Sequence, residues 1–185
     1  MKTISYNGSA SSHPVSYDSG YSAYSVSGLD QGNTDSTSTN YATINFTRGS
    51  DAETIIFYNF DLDIPSAATI TSVTCEAKCY ISTTNSSRIA TRQIQLYSGS
   101  TAKGSAYTVS NSTSEFTITP GTWTAAQLNN AKIRLYAKRG SSNTTTNYYY
   151  RFYGATLSVE YSVNATAYEV TASSNVDGVT IQPAT

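Results

Sequence analysis

Apolar side chains recur at every second position along most of this chain, in short runs divided by polar turns. That period predicts strands with one face buried. In YATINFT, Ala42, Ile44 and Phe46 alternate with Tyr41, Thr43 and Asn45. The next run, TIIFYNFDL over 54–62, is apolar at nearly every position, which predicts a strand buried on both faces. Pro65 stops it, because proline cannot donate to a ladder. A strand over about 69–82 sets Val73, Cys75, Ala77, Cys79 and Ile81 on one face and Thr74, Glu76, Lys78 and Tyr80 on the other. After the turn STTNSS, a strand near 89–97 ends in Ile94, Leu96 and Tyr97. SGSTAKGS reads as a turn, followed by weak strands at Tyr107–Val109 and Glu115–Ile118. Ile133, Leu135 and Ala137 then alternate with Lys132, Arg134, Tyr136 and Lys138. The last long run, 148–163, alternates through Ala155, Leu157, Val159, Tyr161 and Val163, and Gly154 within it predicts a bulge or a close backbone approach.

One segment breaks the period. In PGTWTAAQLNN, Thr124 and Gln127 form a T-x-x-Q capping box, with Trp123 at the position of a hydrophobic staple and Leu128 four residues after the cap. A single helical turn near 124–130, plugging one end of the fold, is the expectation. Strands at this spacing predict an all-β protein, an antiparallel β-sandwich or jelly roll of about eight to ten strands spanning residues 41–163. Residues 1–40 are rich in Ser, Gly and Tyr and read as a polar arm or anchor, with a possible edge strand around Tyr24 and Val26. Residues 164–185 are too few to bury a core of their own. They read as an arm onto a neighbouring subunit or the opening of a further domain.

Composition narrows the function classes. Eleven Lys and Arg stand against twelve Asp and Glu, so the lysine and arginine surplus of a nucleic-acid binder is missing. Only 12% of residues are charged, while Ser and Thr make up nearly a third and Tyr numbers 16. The residues of helical bundles are scarce, and a near-zero net charge with 12% aromatics argues against disorder. No apolar run approaches a membrane span, and MKTISYNGSA lacks the apolar core of a secretory signal. The expectation is a protein made in a bacterial cytoplasm that leaves, if it leaves, by another route, such as release of virus particles by lysis. The six N-x-Ser/Thr sequons, at Asn7, Asn45, Asn85, Asn111, Asn143 and Asn164, then read as accidental.

The residues of chemistry are few. His13, beside Pro14, is the single histidine, so Ser-His-Asp and Cys-His arrangements lack a convincing base. Cys75 and Cys79 lie about 13 Å apart along one strand, beyond the roughly 7 Å a disulfide tolerates, and read as buried thiols. No metal site is expected, since further ligands are lacking. Asp30, Asn33 and Asp35 in the loop 28–40 miss the EF-hand spacing and read as turn formers. The carboxylate pairs Asp51 with Glu53 and Asp61 with Asp63 read as solvated acids, with a glycoside hydrolase as the weakest of the functional readings. No catalytic residue and no cofactor is expected. The candidate binding feature is Tyr148, Tyr149, Tyr150, Arg151 and Tyr153. Tyr148, Tyr150 and Phe152 share one face of the strand, and Tyr149, Arg151 and Tyr153 share the other. Three roles stay open for these rings: strand packing, a protein interface, or stacking on sugar rings.

Several phrases resemble a β-sandwich module found in tailed-bacteriophage virion proteins. Ile64, Pro65, Ala68, Ile70 and Val73 fill an "IP-small-small-A-x-I-x-x-V" phrase. Trp123, Thr124, Leu128 and Asn129 fill a "W-T-x-x-x-L-N" turn, and Tyr153, Gly154, Ala155, Leu157, Val159 and Tyr161 fill a closing "Y-G-A-x-L-x-V-x-Y" strand. The likeness covers about residues 55–163, and the tail YEVTASSNVDGVTIQPAT resembles the start of a bacterial Ig-like repeat. The resemblance implies a non-enzymatic structural protein of the virion, decorating the capsid or building a head-fibre, neck or tail appendage. Its partners would be other virion proteins and further copies of itself. A carbohydrate-binding module that uses exposed tyrosines on bacterial or mucosal glycans is the alternative.

Overall fold

The computed structural model describes residues 2–18, 26–27, 41–46, 53–141 and 146–167. Among these, eleven strands and one short helix build two antiparallel sheets packed face to face. The strands are β1 Lys2–Ser12, β2 Pro14–Asp18, β3 Val26–Ser27, β4 Ala42–Phe46, β5 Glu53–Phe60 and β6 Ala68–Ile81. They continue with β7 Ile89–Ser98, β8 Thr101–Thr108, β9 Ser114–Ile118, β10 Ala131–Arg139 and β11 Tyr148–Ala167; the helix α1 is Ala125–Leu128. One sheet runs β3-β4-β11-β6-β9, with β1 also paired to β11, and the other runs β2-β5-β10-β7-β8. Successive strands lie in different sheets at every step except β3 to β4 and β7 to β8. That back-and-forth makes an all-β, jelly-roll-like sandwich, as the strand spacing predicts.

The core lies between the sheets and is filled by the alternating residues. Ile44 and Phe46 of β4, Ile56 and Tyr58 of β5, Cys75, Ala77, Cys79 and Ile81 of β6, and Ile133, Leu135 and Ala137 of β10 are buried. Tyr58 meets Phe152 across the core with ring centroids 4.7 Å apart. Burying such side chains stabilises the fold by about 1.5–3 kcal/mol each relative to leaving them exposed.

The inward residues of β11 change parity partway along the strand, from Tyr148, Tyr150 and Phe152 to Ala155, Leu157 and Val159. Phe152 points into the core and Tyr153 out of it, yet Ala155, Leu157 and Val159 are buried. The switch is made at Gly154, where the register with β6 slips between Phe152 and Gly154 and φ is 136°. That φ is almost confined to glycine, so the bulge read at Gly154 is real and fixes which tyrosines face outward.

Helix α1 is the capped turn expected. Thr124 Oγ1 accepts from the Gln127 amide at 3.3 Å, and the Thr124 amide donates back to Gln127 Oε1 at 3.1 Å. Trp123 and Leu128 are buried, and the Trp123 indole N–H donates to the Pro120 carbonyl. Just beyond, the Asn129 amide clasps Ile64 by accepting from its N–H at 2.8 Å and donating to its carbonyl at 2.9 Å.

Three expectations change. The polar stretch read as an N-terminal arm contributes β1 and β2, one in each sheet, which raises the strand count above ten. β1 pairs with β11 from Lys2 opposite Ala167 to Ser12 opposite Leu157. Its polarity suits a strand whose outward residues meet water while Ser12, at its end, is buried. Next, the turn after β7 is confined to Gly99 and Ser100, and β8 begins at Thr101. Finally, β11 continues to Ala167, past the boundary placed at 163. Val26 lies in the edge strand β3, whereas Tyr24, Asp30, Asn33, Asp35, Asp51 and the tail 168–185 lie outside the described residues.

Candidate functional site

Strand β5 was expected to be covered on both faces. Its outward residues Ile55, Phe57 and Asn59 are instead half-buried and line the outside of the five-stranded sheet. Antiparallel register aligns them with the outward residues of their neighbours. Asp18 of β2 stands opposite Phe57, Phe57 opposite Arg134 of β10, and Arg134 opposite Gln95 of β7. Lys132 stands between Asn59 and Tyr97, and Tyr136 between Ile55 and Gln93. Together with the tight turn at Gly99 and Ser100, these rows enclose an open trough of about 540 Å³ lined by Asp18, Ile55, Phe57, Tyr97, Lys132 and Arg134. Gly99 holds φ at 57°, and a side chain there would meet only open space, so the turn forms a low wall.

The floor is aromatic and the rim is polar. Phe57 and Tyr97 meet edge to face at 5.3 Å. The Arg134 guanidinium lies 4.8 Å from the Tyr97 ring centre and 5.3 Å from that of Tyr136, and its Nη2 donates to Gln95 Oε1 at 3.2 Å. Lys132 Nζ donates to Asp18 Oδ2 at 2.8 Å, and the Tyr136 hydroxyl to Glu53 Oε2 at 3.1 Å. The hydrogen bond from Lys132 holds the Asp18 carboxyl below its ordinary value against the opposing effect of burial, with a lesser contribution from Asn59. Burial and the bond to Glu53 push the Tyr136 phenol up. The cations in the trough are thus held by neighbouring carboxylate, amide and ring groups, with donors and acceptors alternating along the rim.

The tyrosines singled out from the sequence divide between inside and outside. Tyr148 and Tyr150 are buried in the core, which removes them as stacking platforms. The Tyr150 hydroxyl lies 3.7 Å from Cys79 Sγ. Tyr149 and Arg151 face outward on the six-stranded sheet. There the Arg151 guanidinium lies 4.3 Å from the Tyr41 ring and 4.4 Å from the Tyr149 ring. Tyr80 of β6 meets Tyr149 at 5.8 Å, and Tyr153, nearly covered, packs edge-on against Tyr41 at 5.2 Å. Lys78 Nζ lies 5.7 Å from the Tyr153 ring. Outward Tyr149, Arg151 and Tyr153 therefore come together as read, joined by Tyr41 and Tyr80.

The remaining candidates lie apart from both faces. His13 Nδ1 sits 3.2 Å from the Ala155 carbonyl and 3.2 Å from Thr156 Oγ1. Asp61 and Asp63 are exposed between β5 and β6. Cys75 and Cys79 are unpaired and buried; burial pushes the Cys79 thiol up to about 12 and the Cys75 thiol higher still. Among the described residues, no three His, Cys, Asp or Glu side chains gather where they could hold a metal ion.

No family model matches the chain, and no curated protein matches it. Among solved structures, a family 11 carbohydrate-binding module from Clostridium thermocellum, in complex with a β-1,3-1,4-mixed-linked tetrasaccharide, aligns over 85% of this chain and 87% of its own. Its identity is 11% and its TM-score 0.36. The family 11 module of the cellulosomal cellulase Lic26A-Cel5E of the same organism aligns over 92% of each chain, at 12% identity and a TM-score of 0.33. Likenesses this loose assign no role to residues of this chain.

The trough was missed from sequence because its residues come from β2, β5, β7 and β10, which only pairing unites. One signal pointed to it. The outward apolar residues of 54–62 lacked a second layer to cover them, and Ile55 and Phe57 became a floor.

Proposed function

We propose that this chain is a carbohydrate-binding module that holds a neutral glycan in the trough on the outer face of the five-stranded sheet. The observation that carries this reading is the open trough floored by half-buried Phe57 and nearly covered Tyr97 beneath a rim of hydrogen-bonding side chains. A sugar ring has an apolar C–H face and a periphery of hydroxyls. The first stacks on an aromatic floor, and the second needs alternating donors and acceptors fixed in place. Rim groups already held by their neighbours lose little entropy on binding. The trough is open rather than closed, which suits the interior of a chain more than a single small molecule.

The same geometry speaks for binding without bond cleavage. Asp18, the carboxylate among the lining residues, is held below its ordinary value by Lys132, whereas a general acid in glycoside hydrolysis needs its value raised. A microarray of neutral oligosaccharides, probed with the protein and with Phe57→Ala, tests the reading. Binding that the substitution removes supports it; an array without neutral ligands, or one unchanged in the variant, defeats it.

Display on a phage particle is the second reading, supported by the sequence phrases shared with virion sandwiches. Ile64, Trp123, Leu128, Ala155, Leu157 and Val159 from those phrases are buried packing residues. They speak for a shared scaffold and leave the outer faces to set the role, so a glycan-binding module carried on a virion, in contact with other virion proteins or copies of itself, satisfies both readings. Mass spectrometry of purified particles that lack the chain would remove this second reading and leave the first standing.

A further inference from the structure

The outward face of the six-stranded sheet carries an arginine that meets rings rather than acceptors among the described residues. Arg151 stands opposite Thr43 of β4 and Tyr80 of β6, and its guanidinium is sandwiched between the rings of Tyr41 and Tyr149 at 4.3 Å and 4.4 Å. Rings on both flat sides leave only the edge of the guanidinium, where its N–H donors lie, for hydrogen bonding. Among the described residues, no acceptor takes a hydrogen bond from its Nη1 and Nη2, while its Nε, like that of Arg134 on the other sheet, is buried without a partner. Two ion pairs, Lys132 with Asp18 and Lys138 with Glu53, lie on the other sheet. Neither Arg151 nor Lys78, which lies 5.7 Å from the Tyr153 ring, belongs to either. Lys78 stands opposite Glu115 of β9, whereas Arg151 is set among tyrosines, in a protein with only eleven Lys and Arg.

We propose that this face is a second binding site, for an acidic sugar whose carboxylate meets the edge of Arg151. A planar carboxylate matches the guanidinium fork with two parallel hydrogen bonds, and an anion there fills the donors the protein leaves open. Tyr41 and Tyr149 fix the plane of the fork in advance, so little rotational freedom is lost when the carboxylate docks. The rings of Tyr80 and Tyr149, 5.8 Å apart beside it, offer an apolar surface to the C–H face of a sugar ring. Lys78 adds a second positive charge beyond Tyr153. The two sites lie on opposite outer faces of the sandwich, so one molecule can hold a neutral and an acidic glycan together.

Titration calorimetry with trigalacturonate tests the site, with galactotriose, inorganic phosphate and a glutamate hexapeptide as controls. The expected result is binding of trigalacturonate that weakens at least tenfold in Arg151→Gln, falls less in Lys78→Gln, and persists in Phe57→Ala. Arg151→Lys keeps the charge but loses the fork, so it should recover only part of the affinity. The variants are compared by thermal melting, and Lys78→Gln serves if Arg151→Gln fails to fold. The proposal is overturned if trigalacturonate does not bind, or binds Arg151→Gln as well as the native protein. Equal affinity for phosphate, or a preference for the glutamate peptide, overturns the assignment to a sugar. Phe57→Ala separates the two faces, because it abolishes the trough and leaves the Arg151 site whole.

Discussion

The two outer faces of the sandwich are built from the same few residue types and end with opposite electrostatic character. On the five-stranded sheet, Lys132 meets Asp18 at 2.8 Å, Arg134 meets Gln95 at 3.2 Å, and Tyr136 meets Glu53 at 3.1 Å. On the six-stranded sheet, the partners of the Arg151 guanidinium among the described residues are the rings of Tyr41 and Tyr149. Stacking orients a guanidinium through its flat face and, unlike an ion pair, brings no countercharge with it. In a chain with little charge, what an arginine offers to a ligand is decided by whether its neighbour across the strand is an acceptor or a ring. Under the two proposals above, the face whose cations meet acceptors takes neutral hydroxyls and the face whose arginine meets rings takes an anion.

The sharpest way to break this comparison is at Gly154. Gly154→Val puts a β-branched residue at φ 136° and should cost about 3 kcal/mol or more, seen as a lower urea midpoint. Losing the bulge would also shift the parity of β11, so tyrosine fluorescence and trigalacturonate binding should change before trough binding does. Phe57→Ala comes next. Removing a central aromatic contact costs a binding site about 2 kcal/mol, or about thirtyfold in affinity for a neutral glycan, with the acidic-sugar site unmoved. Arg134→Gln should be milder, about fivefold to tenfold, since Tyr97 and Phe57 remain as a floor and glutamine still reaches hydrogen-bonding partners.

The buried thiols give a control common to both faces. Cys75 and Cys79 lie behind β6, with thiols pushed up by burial, so a disulfide reagent at pH 8 should leave the folded protein unlabelled and react only as it unfolds. A variant that loses ligand while its thiols stay protected has lost a contact and kept its fold. The smallest effect is expected from Asp18→Asn. Asp18 and Lys132 are both partly exposed, so their pair contributes within about 0–1 kcal/mol. Its sign with pH is fixed. The folded value of Asp18 is depressed, so the contribution is present above the ordinary value of 3.8 and is lost as pH falls through the lower, folded one. Urea midpoints at pH 7 and pH 2 for the native protein and Asp18→Asn should therefore converge at the lower pH.

Much of the interior was legible because a strand period needs only the local sequence. Ala42, Ile44 and Phe46, Cys75 through Ile81, and Ile133 through Ala137 all fall on the buried side their alternation assigns. The Thr124–Gln127 box is local too, and it caps the helix it foretold. Tyr148, Tyr150 and Phe152 were rightly grouped on one face, although which face met water depended on the neighbouring sheet. β1 was missed because its serines carry no alternation. It is held by pairing to β11 along its length, a contact across the whole chain.

The sequence by itself determined the period, the inward face of most strands, the capped turn at Thr124 and the need for glycine at position 154, because each follows from the torsions and polarity of a few adjacent residues. Only the tertiary structure decided where ligands could sit. Register across β2, β5, β10 and β7 set Asp18, Phe57, Arg134 and Gln95 in one row, and register across β4, β11 and β6 brought Tyr41 and Tyr80 to Arg151. Side chains that stand side by side across strands are far apart along the chain. Which of them become neighbours is fixed by backbone pairing and core packing, through hydrogen bonds and buried area that the binding residues themselves do not supply.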